Sequence, residues 1–166
     1  MDNGKLIIGA VFFVIFIVME IWYRNKQGKK TKELSAKEKP VKIFEYCKIF
    51  YTYDESSAKS QVLFSHPASV VPCDVLLFQD HIGLVAANGY GIHTNDVKIK
   101  DVNSVTIKKI LWEKVLYVNY DEVSETGSVK NITFCLEGDL EDLSYIRNFI
   151  EERMTRPQVI DLTDGN

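Results

Sequence analysis

The chain has 166 residues, a formal net charge of −3 and three widely spaced cysteines. That length holds about one domain of ordinary size, and the odd cysteine count speaks for reduced thiols at Cys47, Cys73 and Cys135 over a disulfide framework. The acidic balance argues against a nucleic-acid protein, which needs a basic face for phosphate contacts.

Residues 6–23, LIIGAVFFVIFIVMEIWY, form an apolar run with a single charge, Glu20. At about 1.5 Å per helical residue the run spans roughly 27 Å, close to the hydrocarbon thickness of a bilayer. Leu6, Phe12, Phe13 and Phe16 are the expected lipid anchors, with Trp22 and Tyr23 at the headgroup level, where a ring has one wet and one apolar side. The bulky residues that end the run offer no small-residue cleavage site, so a retained single-pass anchor is expected over a signal peptide. Bulky apolar residues on every face argue equally against a soluble core helix. Glu20 stands four residues before Arg24, the spacing of an intrahelical ion pair.

Basic residues set the expected orientation. Only Lys5 precedes the run, whereas Arg24, Lys26, Lys29, Lys30 and Lys32 follow it at once, then Lys37, Lys39 and Lys42. The positive-inside rule places the amino terminus outside and the rest in the cytoplasm, at the cell membrane. Residues 24–42 carry a net charge of +6 and residues 43–166 a net charge of −8. Arg24, Lys26, Lys29, Lys30 and Lys32 are the expected membrane-surface residues, drawn to anionic lipid by about 1 kcal/mol each. The alternative is a solvated linker whose lysines only enforce topology.

Beyond Pro40, short β-rich segments alternate with turn signals. Residues 41–53 fit a strand by alternation and a helix by an apolar stripe. Residues 61–65 read as a strand, 66–73 as a loop, and 74–79 with 82–87 as a hairpin turning at Asp80-His81. After a turn at 88–91, strands are expected at 97–100, 104–109, 114–120 and 129–136, the last two joined through Gly127 at positive φ. The final element is a helix: Asp139 caps it, Glu141 and Asp142 stand at its positive end, Leu143, Ile146, Ile150 and Met154 form one stripe beside Phe149, and Arg153 and Arg156 precede the stop at Pro157.

The expected fold class is α+β: a single N-terminal transmembrane helix, then a curved antiparallel sheet of about seven strands capped by one C-terminal helix. The expected divisions are an anchor at 1–23, a basic linker at 24–42, a domain at 43–156 and an acidic tail at 157–166.

The run DVLLFQDHIGLVAANGYGIHTNDVKIKDVNSVTIKK, with its Ile99 to Val105 stretch, resembles the middle of a GRAM or bacterial pleckstrin-homology-like (PH-like) domain. The later strands LYVNY and ITFCL and the last helix extend the resemblance over residues 60–155. Where such families carry Thr before the first hairpin turn and Arg after it, this chain has Gln79 and His81. The resemblance implies the curved sheet with its capping helix and a binding module in place of an enzyme.

No constellation for catalysis is visible in the sequence, and no cofactor or metal is expected. His66, His81 and His93 lie in or near turns without metal-ligand spacing, and read as solvated. Asn88-Gly89-Tyr90-Gly91 lacks the Lys and helix of a phosphate loop. For binding, Lys98, Lys100, Lys108 and Lys109 on consecutive strands are the candidate ligand patch, and a free strand edge is a second surface. Val159, Ile160, Asp161, Leu162 and Thr163 resemble the core of motifs that bind small ubiquitin-like modifiers. The expected function is recruitment or positioning of a protein partner at the membrane; the alternatives are an anionic-lipid-sensing module and, more weakly, modifier binding through the tail.

Overall fold

The computed structural model describes residues 3–52, 71–88, 91–110, 113–123 and 127–154. Asn3–Lys37 form one uninterrupted helix, α1. From Ile8 onward it is long and apolar enough to cross a membrane. Phe12, Phe13, Phe16 and Trp22 each keep half or more of their surface exposed, on different sides of the helix. All its mid-helix backbone groups are bonded internally, which is the condition for a chain in hydrocarbon. Glu20 and Arg24 pair at 3.8 Å, as their spacing implies. The stretch 24–37, expected as a linker along the bilayer, is the second half of the same helix and lies on the folded domain.

Seven strands follow: β1 Lys42–Thr52, β2 Val71–Leu77, β3 His81–Asn88, β4 Gly91–Lys98, β5 Val102–Ile110, β6 Glu113–Val123 and β7 Val129–Glu137; helix α2 is Leu140–Met154. They pair antiparallel in the order β4-β3-β2-β1-β7-β6-β5. The architecture is therefore α+β, as expected. β4 and β5 are the two edges, yet in sequence only the 3₁₀ turn Ile99–Asp101 separates them. In a flat sheet of this width the edges would stand about 29 Å apart, whereas four residue steps reach at most about 14 Å. The sheet must curl until its edges nearly meet at that corner. There Asn95 of β4 donates to the Tyr120 hydroxyl of β6 at 3.3 Å, and α2 packs on β5, β6 and the turn.

Local chemistry explains where strands begin and how they bend. β1 contains a bulge between Phe44 and Cys47, with Tyr46 at φ +66°. The extra residue shifts the alternation, so Phe44, Cys47 and Ile49 all reach the core. That shift is why residues 41–53 also resembled a helical stripe. β2 and β3 meet in the predicted hairpin, with Leu77 opposite Ile82. β2 starts at Val71, inside the predicted loop, and β4 occupies Gly91–Lys98, most of which carried no strand signal because its exposed edge is polar. Conversely, residues 99 and 100, expected in a strand, form the corner turn. Gly127 adopts φ +78° before β7, as predicted. Gly83 sits at a close approach: a Cβ there would stand 3.0 Å from the Phe78 ring, so any larger residue would have to push that ring aside.

The core lies inside the curl. Val75, Leu77, Ile82, Leu84, Leu116, Val118, Phe134 and Leu136 meet Leu143, Ile146, Phe149 and Ile150 of α2, the stripe read from the sequence, with Met154 packed beside it. Leu143 N bonds Asp139 O at 2.9 Å, opening α2 where the cap was expected. The strand predicted at 61–65, His66, the tail 157–166, and Arg156 and Pro157 lie outside the described residues.

Candidate binding surfaces

β2 and β3 are buried on both faces. Inside is the core; outside, Leu76, Phe78 and Val85 form a second cluster against Leu34 of α1 and Ile92. One turn earlier on α1, Thr31 is buried and its hydroxyl donates to Asp74 Oδ2 at 2.7 Å. Asp74, itself buried, accepts from Tyr46 N through its other oxygen at 3.4 Å. A buried carboxyl needs such partners, because leaving one unsatisfied costs several times what an exposed bond contributes. One side chain thus fastens the helix to β2 and holds the left-handed residue of the β1 bulge. Gln27, another turn back, is 4% exposed.

The five expected membrane-surface cations divide between two faces of α1. Arg24, Lys29 and Lys32 line a cavity of about 450 Å³ between α1, β1 and β2, with Gln27, Glu45, Tyr46 and Asp74 among its other walls. The Arg24 guanidinium lies over the Tyr46 ring at 5.2 Å. On another face, Lys26 sits over the Trp22 ring at 3.8 Å and Lys30 pairs with Glu33 at 3.0 Å. Hydrogen bonds from Lys30 and Lys37 hold the Glu33 carboxyl below the ordinary carboxylate range.

The four-lysine patch does not assemble as one surface. Lys98 and Lys100 line a cavity of about 490 Å³ at the corner with Gln79, Asp80, Ile99 and Arg153. Lys108 and Lys109 lie six and seven residues beyond the start of β5, about 20 Å along the strand. Lys108 there covers the Tyr117 ring at 5.4 Å. Arg153, which the sequence placed only as a helix-end charge, is the third cation of the corner. Its guanidinium lies 3.4 Å from the Phe149 ring centroid and donates to Phe149 O at 3.0 Å.

Beside the corner, His81 is not a freely solvated turn residue. Its ring stacks on Phe78 at 4.3 Å and its Nδ1 meets Asp80 Oδ1 at 2.7 Å. That bond, above all, keeps the Asp80 carboxyl below its ordinary range. Glu38, Asp80 and His81 bring one ligand atom each within 4.8 Å, a set that offers a divalent cation two exposed carboxylates and an imidazole. His93 is exposed on edge strand β4.

No protein-family model matches this chain, and no curated protein matches it.

The thiols show what that geometry does to would-be nucleophiles. Cys47 and Cys73 face each other across β1 and β2, and Cys135 lies in β7 in a small cluster with Phe50, Val115 and Tyr117. All three are free and buried. Burial pushes the Cys47 thiol up to about 11 and Cys135 up to about 12, and raises Cys73 further. Such thiols stay protonated at neutral pH and are poor nucleophiles.

Proposed function

We propose that the chain is a single-span protein of the cell membrane, amino terminus outside, whose cytoplasmic PH-like domain recruits or positions a protein partner at the bilayer without catalysing a reaction. The observation that carries it is the continuity of α1. One helix runs from the apolar segment onto the sheet and is fastened there by Thr31 and Asp74. A flexible linker of the same fourteen residues would let the domain wander by about 20 Å. A helix fixes both distance and direction, so the domain presents the same surfaces to the bilayer and to its neighbours. Confinement near the membrane raises the effective concentration for partners held there, and modest contacts suffice.

Orientation follows from the cations after Tyr23, and the PH-like assignment from the resemblance of residues 60–155. The surface we assign to the partner is the corner of Lys98, Lys100 and Arg153, which suits an acidic segment. It borders Asp80 near the far end of α1, about 20 Å along the helix from Arg24. The lipid-sensing alternative draws on a separate observation, the cavity beside α1 that Arg24, Lys29 and Lys32 line with Glu45 and Asp74.

The test is purification of tagged full-length protein from native membranes in mild detergent, beside a variant with a ten-residue Gly/Ser insert after Arg24 and a Lys98→Glu/Lys100→Glu variant. A stoichiometric partner is expected with the intact chain, reduced roughly tenfold by either change, the scale of about 1.4 kcal/mol. Recovery of no stoichiometric protein from the intact chain overturns the proposal. Protease added outside sealed cells should spare the domain.

A further inference from the structure

We infer that the cavity between α1, β1 and β2 is a specific site for the phosphate-bearing headgroup of an anionic phospholipid, which locks the helix-to-domain posture. The inference rests on the membrane span and is independent of any protein partner.

Four observations meet at this cavity. The first is charge: Arg24, Lys29 and Lys32 line it against two carboxylates, Glu45 and Asp74, of which Asp74 already accepts from Thr31 and Tyr46 N; Arg24 pairs with Glu20, whereas neither lysine makes an ion pair among the described residues. The second is an amide without a partner. Gln27 lines the cavity, is 4% exposed and makes no hydrogen bond among the described residues. Buried amides in folded proteins are nearly always bonded, and a phosphate oxygen is a strong acceptor for this one.

The third is an empty wall. Gly28 lies on the same face, one turn from both Arg24 and Lys32, and a Cβ there would meet nothing within 4 Å. Glycine inside a helix is destabilising relative to alanine, and no packing among the described residues demands it here. Its missing side chain leaves room at the cationic face. The fourth is position. Lys29 and Lys32 stand about 9 and 14 Å along the axis from Tyr23, and helical side chains lean toward the N-terminus, here toward the leaflet. A headgroup next to Trp22 and Tyr23 therefore meets Arg24 first and the two ammonium groups behind it. The Tyr46 ring, turned out by the bulge and 68% exposed, forms the opposite wall beneath Arg24.

Diffuse attraction to a charged surface would treat every cation of 24–32 alike, but this geometry does not. Lys26 and Lys30 are engaged with Trp22 and Glu33, and Arg24 with Glu20 and Tyr46, which leaves Lys29 and Lys32 as the cations the cavity offers to a ligand.

The full-length chain is placed in phosphatidylcholine nanodiscs holding a few per cent of phosphatidylglycerol, transferred to neutral detergent, and its retained lipids are counted by native mass spectrometry. Retained phosphatidylglycerol is expected to fall roughly tenfold in Lys29→Gln/Lys32→Gln and less than about twofold in Lys26→Gln/Lys30→Gln, two cations being removed in each. Gly28→Leu, which fills the wall without altering charge, should lower retention comparably while circular dichroism shows the helix kept. Equal losses from both lysine pairs, or full retention in Gly28→Leu, overturn the site. Complete displacement by millimolar glycerol phosphate makes the ligand a soluble phosphate and overturns the lipid assignment. No protein partner is present, so failure here leaves the recruitment proposal untouched.

Discussion

Between Ile8 and Trp22 the side chains of α1 are exposed on every side, whereas between Gln27 and Leu34 the same helix turns Gln27, Thr31 and Leu34 onto a folded sheet. The backbone is the same in both halves and satisfied in the same way; only the environment of the side chains changes. In the first half the apolar surface has no cover among the described residues, as suits a helix long and apolar enough to cross a membrane, and no residue is singled out. In the second half the contact is narrow and each residue has a distinct task. Leu34 fills a cluster, Thr31 bonds a buried carboxyl, and Gln27 closes a cavity. A helix used this way carries the posture of its apolar half directly into the domain.

The sharpest way to break the comparison is to give the first half a charge it cannot hide. Phe12→Arg/Phe16→Arg should abolish membrane insertion, at about 3 kcal/mol for each central arginine. Sedimentation after carbonate washing checks it. The folded domain should keep its urea midpoint, since neither phenylalanine touches the sheet. A double variant that stays in the pellet would show that the first half does not depend on lipid.

Alkaline pH separates the halves from the other side. Cys47 and Cys135 are held at about 11 and about 12 in the folded domain, against about 8.5 for an unperturbed thiol. Between those values the unfolded chain has released protons that the folded chain keeps, so stability is complete below about pH 8.5 and declines as pH rises toward the folded values. For Cys47 the loss approaches about 3 kcal/mol by pH 11. Denaturant melts from pH 8 to 11 should show this slope, and Cys47→Ala/Cys135→Ala should reduce it, leaving the share that Cys73, raised further, contributes. Membrane retention, which rests on the apolar half, should stay constant over the same range. An unchanged slope in the double variant would remove the thiols as its cause.

The sequence made the apolar half legible because its signal is redundant: any few of its residues identify it. The strands of the hairpin were legible for a related reason, VLLF and IGLVAA being long apolar runs. Those runs also held a clue to the second half of α1. Leu76, Phe78 and Val85 point away from the core yet are buried, the pattern of a strand covered on both sides. What hid the cover was its composition, one leucine among lysines and amides. Most of β4 carries no strand signal because an exposed edge strand needs no apolar alternation, and the corner cavity carries no sequence signal because Arg153 joins Lys98 and Lys100 only through the curl of the sheet. The division of the juxtamembrane cations follows from helical phase, which becomes usable only once 24–37 is known to be helical.

The finest cut across the comparison is a single hydroxyl. Thr31→Val keeps the shape of the side chain and removes the donor that Asp74 Oδ2 accepts at 2.7 Å, leaving a buried carboxyl with Tyr46 N at 3.4 Å as its remaining described partner. The expected cost is about 2 kcal/mol, the penalty of a buried polar group short of a bond. It should fall locally: amide exchange should speed up at 27–37 and around Tyr46, whose φ of +66° Asp74 supports, and remain slow in β6 and β7. Asp74→Ala alone should cost at least as much. If Asp74 acts through Thr31, the two changes combined should cost well below the sum of the singles, because removing both ends of a buried bond is milder than orphaning one. Additive costs would mean that Thr31 and Asp74 act separately, and that the helix is held by Leu34 alone.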